Sequence, residues 1–339
     1  MTFIMHRLLV VFLGLAAAGA LAADSPVDKT DIQRAVLITG ASTGIGRLTA
    51  ERLAAEGHFV YAGARKPADI KALNAIENVQ AVKLDVTVAG DIDAAVATIR
   101  AAGRGLWGIV NNAGVNLIDP LIEADESDLQ FLFDVNVYGV FRVTRAFAPL
   151  IVESGGRIVN ISSISGILSG GLTGYGMYFM SKHAVEAFSD QLAFEMAPLG
   201  VHVSAVEPGS FQSDIGLSRC RRMLSAQADK RYEYFAEAMA AYRDQCRGRL
   251  EGKVQGESPP PDAVADAISH ALFSDTPKQH YLVVPDQFQA MITMSWAFRE
   301  LLHLNHDQPY SYSREELIEL MDEEWAILKG EKQRDWPVD

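Results

Sequence analysis

Short apolar runs recur through the middle of the chain, each followed by a longer stretch with helical spacing. Ala35-Val36-Leu37-Ile38-Thr39 is the first. It is rich in β-branched residues and lacks the alternation of a half-exposed strand, as suits a strand buried on both faces. The series continues with Phe59 to Ala64, Ala81 to Asp85, Gly108 to Asn112, Arg157 to Ser162, Val201 to Glu207 and His280 to Val284. Between them the pattern predicts helices. One follows the glycines at 40, 44 and 46 and ends near Glu56. Another spans Asp91 to Ala102, with Ile92, Ala95, Val96 and Ile99 on one face. A long one covers Ser127 to Leu150, with Pro149 near its end, and further ones cover Tyr178 to Ala197 and Pro261 to Leu272. Ser313-Arg314-Glu315-Glu316 reads as the N-cap and acidic first turn of a terminal helix lying on the domain. Strands alternating with helices predict right-handed βαβ units: an α/β fold with a doubly wound parallel sheet, whose ligands sit at the carboxyl ends of the strands. The rhythm lapses between Gly209 and Pro261, a helix-prone stretch rich in Arg, Met, Tyr and Ala, closed by a turn-forming linker at Gly256 to Pro261.

With 339 residues, 49% of them hydrophobic, the chain can bury a sizeable core. The pattern divides it into residues 1–23, a polar linker over 24–34, one α/β domain over 35–285 with an insertion at 211–253, and a C-terminal extension over 286–339. A formal net charge of -13 argues against a nucleic-acid-binding surface. Residues 1–23 stand apart: Arg7 is followed by an apolar run from Leu8 to Ala20 and by the small residues of Ala20-Leu21-Ala22. That is the form of a secretory signal peptide, with export to a periplasm as its consequence. An uncleaved membrane anchor and a misassigned start near Val27, which would leave the protein cytoplasmic, remain open. Any membrane association is expected through this segment only. Cys220 and Cys246 have no metal-ligand spacing, and no metal is expected. Pairing after export and two free thiols on helices are both consistent with their positions.

The chemistry begins at Thr39-Gly40-Ala41-Ser42-Thr43-Gly44-Ile45-Gly46, between the first strand and the first helix. Glycines there allow a tight turn and let backbone N–H groups approach a pyrophosphate at a helix N-terminus. The second strand ends at Ala64-Arg65-Lys66. A carboxylate at that point would take the ribose 2′-hydroxyl of NAD; a guanidinium grips a 2′-phosphate instead, unless Arg65 is only a solvated surface residue. Asn111-Asn112-Ala113-Gly114 ends the fourth strand, where it either forms a plain turn or touches a ligand. Tyr178 and Lys182, four apart on a helix, share a face. A free tyrosine titrates near ~10, and a neighbouring ammonium lowers that toward a useful acid/base range. Ser163, with Ser162 and Ser165 as rivals, can donate a hydrogen bond to a substrate oxygen.

Taken in order, TGASTGIG, LDVT (Leu84 to Thr87), NNAG, VNVYG (Val135 to Gly139), ISS (Ile161 to Ser163), YFMSK and VEPG (Val206 to Gly209) resemble the classical short-chain dehydrogenase/reductase family. The resemblance runs from about Ala35 to Val284. It is looser, but still visible, toward the steroid and retinol dehydrogenase branch. It implies a Rossmann-like fold and a catalytic set of Asn136, Ser163, Tyr178 and Lys182. Tyr178 would be the acid/base, Lys182 would lower its pKa and hold the nicotinamide ribose, Ser163 would polarise the carbonyl, and Asn136 would hold a relay water. The implied cofactor contacts are Gly40, Ser42, Thr43, Gly44, Ile45, Gly46, Arg65, Asp85, Val86, Asn112, Ala113, Gly114, Tyr178, Lys182, Pro208, Gly209 and Ser213, the last standing where the family usually has Thr. NADP(H) is expected over NAD(H) because of Arg65, and a homodimer or homotetramer is expected through the long helices. Phe179 and Met180 depart from the family's smaller residues.

The segment Phe211 to Lys253 falls at the family's substrate loop. Phe211, Leu217, Met223, Leu224, Tyr232, Phe235 and Met239 either line a wide apolar pocket for a lipophilic alcohol or ketone or simply pack together. Two rival functions share this fold. A non-catalytic NADP-binding sensor or scaffold should have lost part of the catalytic set, and a nucleotide-sugar epimerase or lyase should have another glycine spacing and no NNAG. Export and a soluble nicotinamide cofactor pull in opposite directions, and none of these functions reconciles them.

Overall fold

The computed structural model describes residues 33–333 apart from 226, 229 and 254–257. The apolar segment 1–23 and nearly all of the linker after it lie outside the described residues. Seven parallel strands form one sheet in the order β3-β2-β1-β4-β5-β6-β7. They are β1 (Ala35–Ile38), β2 (Phe59–Ala64), β3 (Val79–Lys83), β4 (Gly108–Asn111), β5 (Arg157–Ile161), β6 (His202–Pro208) and β7 (His280–Val283). The direction of winding reverses between β1 and β4, which lie side by side with Leu37 opposite Ile109. That reversal opens a crevice at their carboxyl ends.

β1 shows why the sheet needs cover on both faces. Leu37 points into one core with Tyr61, Ile109, Ile158, Val143, Phe147 and Ile151. Val36 and Ile38 point into the other with Val60, Val110, Val159, Leu53, Ile268 and Leu272. Helices α3 (Ala89–Ala101) and α5 (Gly139–Ser154) supply the first layer; α1 (Gly44–Ala55) and α9 (Asp262–Phe273) supply the second. A short helix that the apolar spacing does not reveal, α2 (Pro67–Leu73), begins with Pro67 in its first turn.

The long helix predicted after Ser127 is three pieces: α4 (Glu126–Phe133), a π-helical turn (Asp134–Tyr138) and α5. Pro149 lies inside α5, which runs on to Ser154 and stops at Gly155 with φ 57°. By length and composition residues 126–154 pass for a membrane span, but half of that stretch is buried in the domain. Helix α6 (Gly176–Met196) carries the Tyr178 and Lys182 pair. The irregular stretch resolves into α7 (Asp214–Ser225) and α8 (Ala236–Leu250), joined by a disulfide between Cys220 and Cys246.

Beyond β7 come α10 (Gln287–Asn305) and α11 (Arg314–Leu328). The sequence pattern did not announce α10, whose N-cap Asp286 accepts from the Gln289 N–H. The capping box of α11 forms as read from Ser313 and Glu316; none of the helix's residues is buried, though Leu317, Ala326 and Ile327 are half-buried.

Candidate active site

Residues from the ends of β1, β2, β4, β5 and β6 converge on a cleft of about 440 Å³. Its floor is the glycine loop. Gly40 has φ +63°, and a Cβ there would come within 2.9 Å of the Ala113 Cα, so the loop needs glycine on both steric and conformational grounds. Ser42, Thr43, Gly44 and Ile45 line the cleft, as expected. Gly46 does not. A Cβ on it would fall 2.3 Å from Asn112 Nδ2, so its role is to let Asn112 reach under the loop.

That reach is the loop's main brace. Asn112 Nδ2 donates to the carbonyls of Thr39 (2.9 Å) and Gly40 (3.1 Å). The Thr39 hydroxyl accepts from the N–H groups of Asn112 and Ala113, both at 3.0 Å. Thr39 was not among the sequence candidates, although its place at the head of TGASTGIG marks it. Asn111, the other amide of the motif, faces away. It donates to Thr144 Oγ1 and Asn160 Oδ1 at 2.9 and 2.8 Å within the buried layer under α5.

Arg65 and Asp85 both border the cleft and form an ion pair at 3.5 Å, with 63% of the Arg65 side chain exposed. Burial pushes the Asp85 carboxyl up. The Thr87 N–H and hydroxyl, bonded at 3.0 and 2.7 Å, together with Arg65 outweigh it and hold Asp85 below the usual carboxylate range. Val86, Asn112, Ala113, Gly114, Pro208, Gly209 and Ser213 complete the wall.

Opposite the glycine loop stand Ser163, Tyr178 and Lys182, all buried and all on the cleft. Ser163 lies two residues beyond β5 and caps a turn of 3-10 helix, its oxygen accepting from the Ser165 N–H at 3.1 Å. It also donates to the Pro208 carbonyl at 3.4 Å. Burial raises Tyr178 to about 12; the hydrogen bond from Ser163 and the charge of Arg219 pull the other way without prevailing. Burial lowers Lys182 to about 8, and Glu186 opposes that shift. Lys182 Nζ donates to the Ile161 carbonyl at 2.8 Å and lies 5.7 Å from the centre of the Tyr178 ring. A second cation, Arg219, also stands on this side of the cleft and draws the Tyr178 hydroxyl down.

Asn136 sits in the π-helical turn, buried beneath the cleft rather than lining it. Its Oδ1 accepts from the Val115 N–H at 2.8 Å, and its Nδ2 donates to the Val115 carbonyl and to Ser181 Oγ at 2.9 and 3.1 Å. These bonds clamp the chain just after Gly114, so Asn136 acts here as a brace for the site. The extra residue of the turn is what aims it inward.

Of the seven apolar residues that could either line a pocket or pack together, only Phe211 lines the cleft. Met223 and Met239 are buried with Ile118 and the two cysteines in a separate small core, and Leu224, Tyr232 and Phe235 pack on it. The stripe is ordinary packing between α7 and α8. The α7 residues that face the cleft are Asp214, Ile215, Ser218, Arg219 and Arg222, joined by Asn116, Leu117 and Phe131 from across it. Sequence spacing singled out none of these.

The cleft fits a nicotinamide dinucleotide. A glycine loop with two residues at positive φ opens a helix, and a cation and an anion stand at the end of β2 and just beyond β3, where an adenosine would lie.

A family model described as short chain dehydrogenase matches residues 34–222. A mitochondrial D-beta-hydroxybutyrate dehydrogenase of Bos taurus is 36% identical over 263 residues, 73% of this chain and 76% of that protein. Retinol dehydrogenase 7 of Rattus norvegicus is 36% identical over 253 residues, 73% of this chain and 79% of that protein. Among solved structures, a short-chain dehydrogenase from Streptomyces avermitilis superposes with TM-score 0.62 at 29% identity, covering 86% of this chain and 97% of its own. An actinorhodin polyketide ketoreductase variant with NADPH superposes with TM-score 0.61 at 27% identity, covering 74% of this chain and 95% of its own.

Proposed function

This chain belongs to the short-chain dehydrogenase family, in its retinol and steroid dehydrogenase-like branch, and is an oxidoreductase acting on CH–OH groups; from that premise we propose that it uses NADP(H) in preference to NAD(H) on an alcohol or ketone with a lipophilic body. The observation that carries the chemistry is the meeting of Ser163, Tyr178 and Lys182 across one cleft from the glycine loop.

When bound, the nicotinamide supplies or accepts the hydride. The protein's own groups manage the other proton. With its hydroxyl raised to about 12, Tyr178 is protonated at neutral pH and poised to give a proton to a carbonyl oxygen. Ser163, within hydrogen-bonding reach of that hydroxyl, holds the same oxygen and stabilises the charge that develops on it. In the direction of oxidation the alcohol proton goes to the Tyr178 phenolate, the form left once Tyr178 has given up its own proton. Lys182, buried with a lowered pKa, is the cation available to the ribose.

The NADP preference is supported by Arg65 at the end of β2 and by Lys66 beside it, and the lipophilic body by Leu117, Phe131, Phe211 and Ile215 along the cleft. Two further readings follow. The Cys220–Cys246 disulfide favours an oxidising compartment and so the exported form of the chain. Tyr138 and Phe141 beside and on α5, with Phe194 on α6, leave large apolar side chains exposed and support association through these helices.

Tyr178→Phe keeps the ring and deletes the proton donor. Turnover of a ketone substrate should fall at least ~100-fold, with the NADPH Kd close to that of the wild type. A variant that keeps most of its kcat overturns the assignment.

A further inference from the structure

Helix α7 carries a half-buried cation, Arg219, with no carboxylate partner among the described residues. It begins beside the glycine loop, where Ser213 Cβ lies 3.4 Å from the position a Gly44 Cβ would take. Five residues on from Asp214, about 7.5 Å along the axis, Arg219 reaches the catalytic end of the cleft. Its Nη1 donates to the Tyr175 hydroxyl at 2.8 Å, and Tyr175 precedes Tyr178 by about one helical turn. Its Nε is buried without a hydrogen-bond partner. No carboxylate among the described residues lies within ion-pair distance of it.

Its neighbours are spent. Arg222, one turn further and on the same wall, pairs with Asp128 at 2.6 Å. Lys230 holds Asp119 and Asp125, and Arg243 donates to the carbonyls of Gln227 and Lys230 at 2.7 Å. A half-buried guanidinium that faces a cleft without a counter-ion costs free energy unless an anion arrives to meet it. A planar fork of N–H donors suits a carboxylate or a phosphate.

Position separates the two. The loop that would receive a pyrophosphate lies at the start of α7, whereas Arg219 bonds to the Tyr175 hydroxyl, one helical turn before Tyr178, and lines the cleft with Tyr178. We propose that Arg219, oriented by Tyr175, binds a carboxylate of the substrate, and that the preferred substrates are hydroxy acids and keto acids with an apolar body. Leu117, Phe211 and Ile215 line the same cleft and take that body. This rests on the dehydrogenase reading above and narrows its substrate class.

The test measures NADPH oxidation with a medium-chain 3-oxo acid and with its methyl ester, in the wild type, Arg219→Leu and Arg219→Lys. The wild type should favour the acid through a lower KM. In Arg219→Leu the acid-to-ester ratio of kcat/KM should fall roughly ten- to a hundredfold, the range for a lost charge-assisted hydrogen bond. Arg219→Lys should keep part of it, and the NADPH Kd from fluorescence titration should not move with the ratio. A wild type that turns over the ester as well as the acid overturns the proposal and leaves the dehydrogenase reading standing. Equal loss on acid and ester also overturns it, as does an NADPH Kd weakened by the same factor, which would assign Arg219 to the cofactor. If no carbonyl compound oxidises NADPH although NADPH binds, both readings fall.

Discussion

The two walls of the cleft are built differently. The wall from Thr39 to Gly46 is gripped at its main chain by two short side chains: the Asn112 amide holds the carbonyls of Thr39 and Gly40, the Thr39 hydroxyl takes the N–H groups of Asn112 and Ala113, and a glycine makes room for the amide. The facing wall, α7 and α8, is held mostly side chain to side chain. Lys230 reaches the buried Asp119, Arg222 and Gln227 share Asp128, Glu123 takes the N–H groups of Glu233, Tyr234 and Phe235, and a disulfide ties the two helices. A wall that grips a fixed cofactor needs fixed backbone geometry. A wall that selects a substrate can be refastened by new side-chain pairs without disturbing the sheet.

The sharpest way to break this comparison is to cut a fastening of the second wall. Asp119 is fully buried, and burial raises its pKa even though the Lys230 ammonium sits 2.6 Å away. Lys230→Met keeps the aliphatic stem and strands the carboxylate. Removing one partner of a buried pair costs about 3–5 kcal/mol. Denaturant unfolding should show that loss, and limited proteolysis should cut first within residues 211–253. Pairing the change with Asp119→Leu should recover much of it, since a well-packed apolar pair replaces buried ions at little cost. A single variant within about 1 kcal/mol of the wild type would mean that the disulfide and small core hold the wall alone.

Glycines give a paired test of the same idea. In Gly46→Ala the new methyl would sit 2.3 Å from Asn112 Nδ2 and 2.7 Å from the Gly40 carbonyl oxygen, so the brace must shift. Overpacking of this kind costs about 1–3 kcal/mol, and NADPH affinity should fall with it. Gly216, in α7, has only Arg249 Nη1 near, at 3.6 Å. Gly216→Ala should be neutral or gain up to about 1 kcal/mol from helix propensity. Equal sensitivity at the two positions, measured by unfolding and by cofactor titration, would erase the distinction between the walls.

The same distinction explains what could be read from the chain. The order and class of the strands were legible because a sheet buried on both faces demands apolar runs such as Val36 to Ile38. The glycine loop and the Tyr178 and Lys182 pair were legible because backbone geometry and helical spacing restrict the residues that fit. Two features could be placed only in three dimensions, for a common reason. Asn136 sits on a π-helical turn, whose extra residue leaves no mark in a 3.6-residue pattern, so its inward aim at Val115 was hidden. The Met and Tyr stripe of 223–239 has the spacing of a pocket wall and of a packed core alike, and only the tertiary arrangement, with Cys220 and Cys246 at its centre, chose between them. Arg219 was passed over because one arginine among several on a helix shows its lack of a partner only in three dimensions.

Arg65 offers the mildest test, because it is where the backbone-built wall relies on a long side chain. It follows β2 directly, its guanidinium 3.5 Å from Asp85 and largely exposed. A 2′-phosphate arriving there gains a charge-assisted hydrogen bond, worth about 1.5–3 kcal/mol. Solvent screening and the competing Asp85 carboxylate hold the gain to the low end of that range. NADPH should therefore bind roughly tenfold more tightly than NADH. Arg65→Asp should invert the order, mostly by weakening NADPH, because a second carboxylate beside Asp85 repels the phosphate while accepting a ribose hydroxyl. Lys66 remains next to it and should keep the inversion incomplete. Asp85→Asn, which frees the guanidinium, should instead widen the preference for NADPH. Fluorescence titrations of both cofactors against the three proteins decide the matter. Equal affinities in the wild type, or an Arg65→Asp variant that binds both cofactors as before, would show that selection for the phosphate lies in the loop's backbone and not in this side chain.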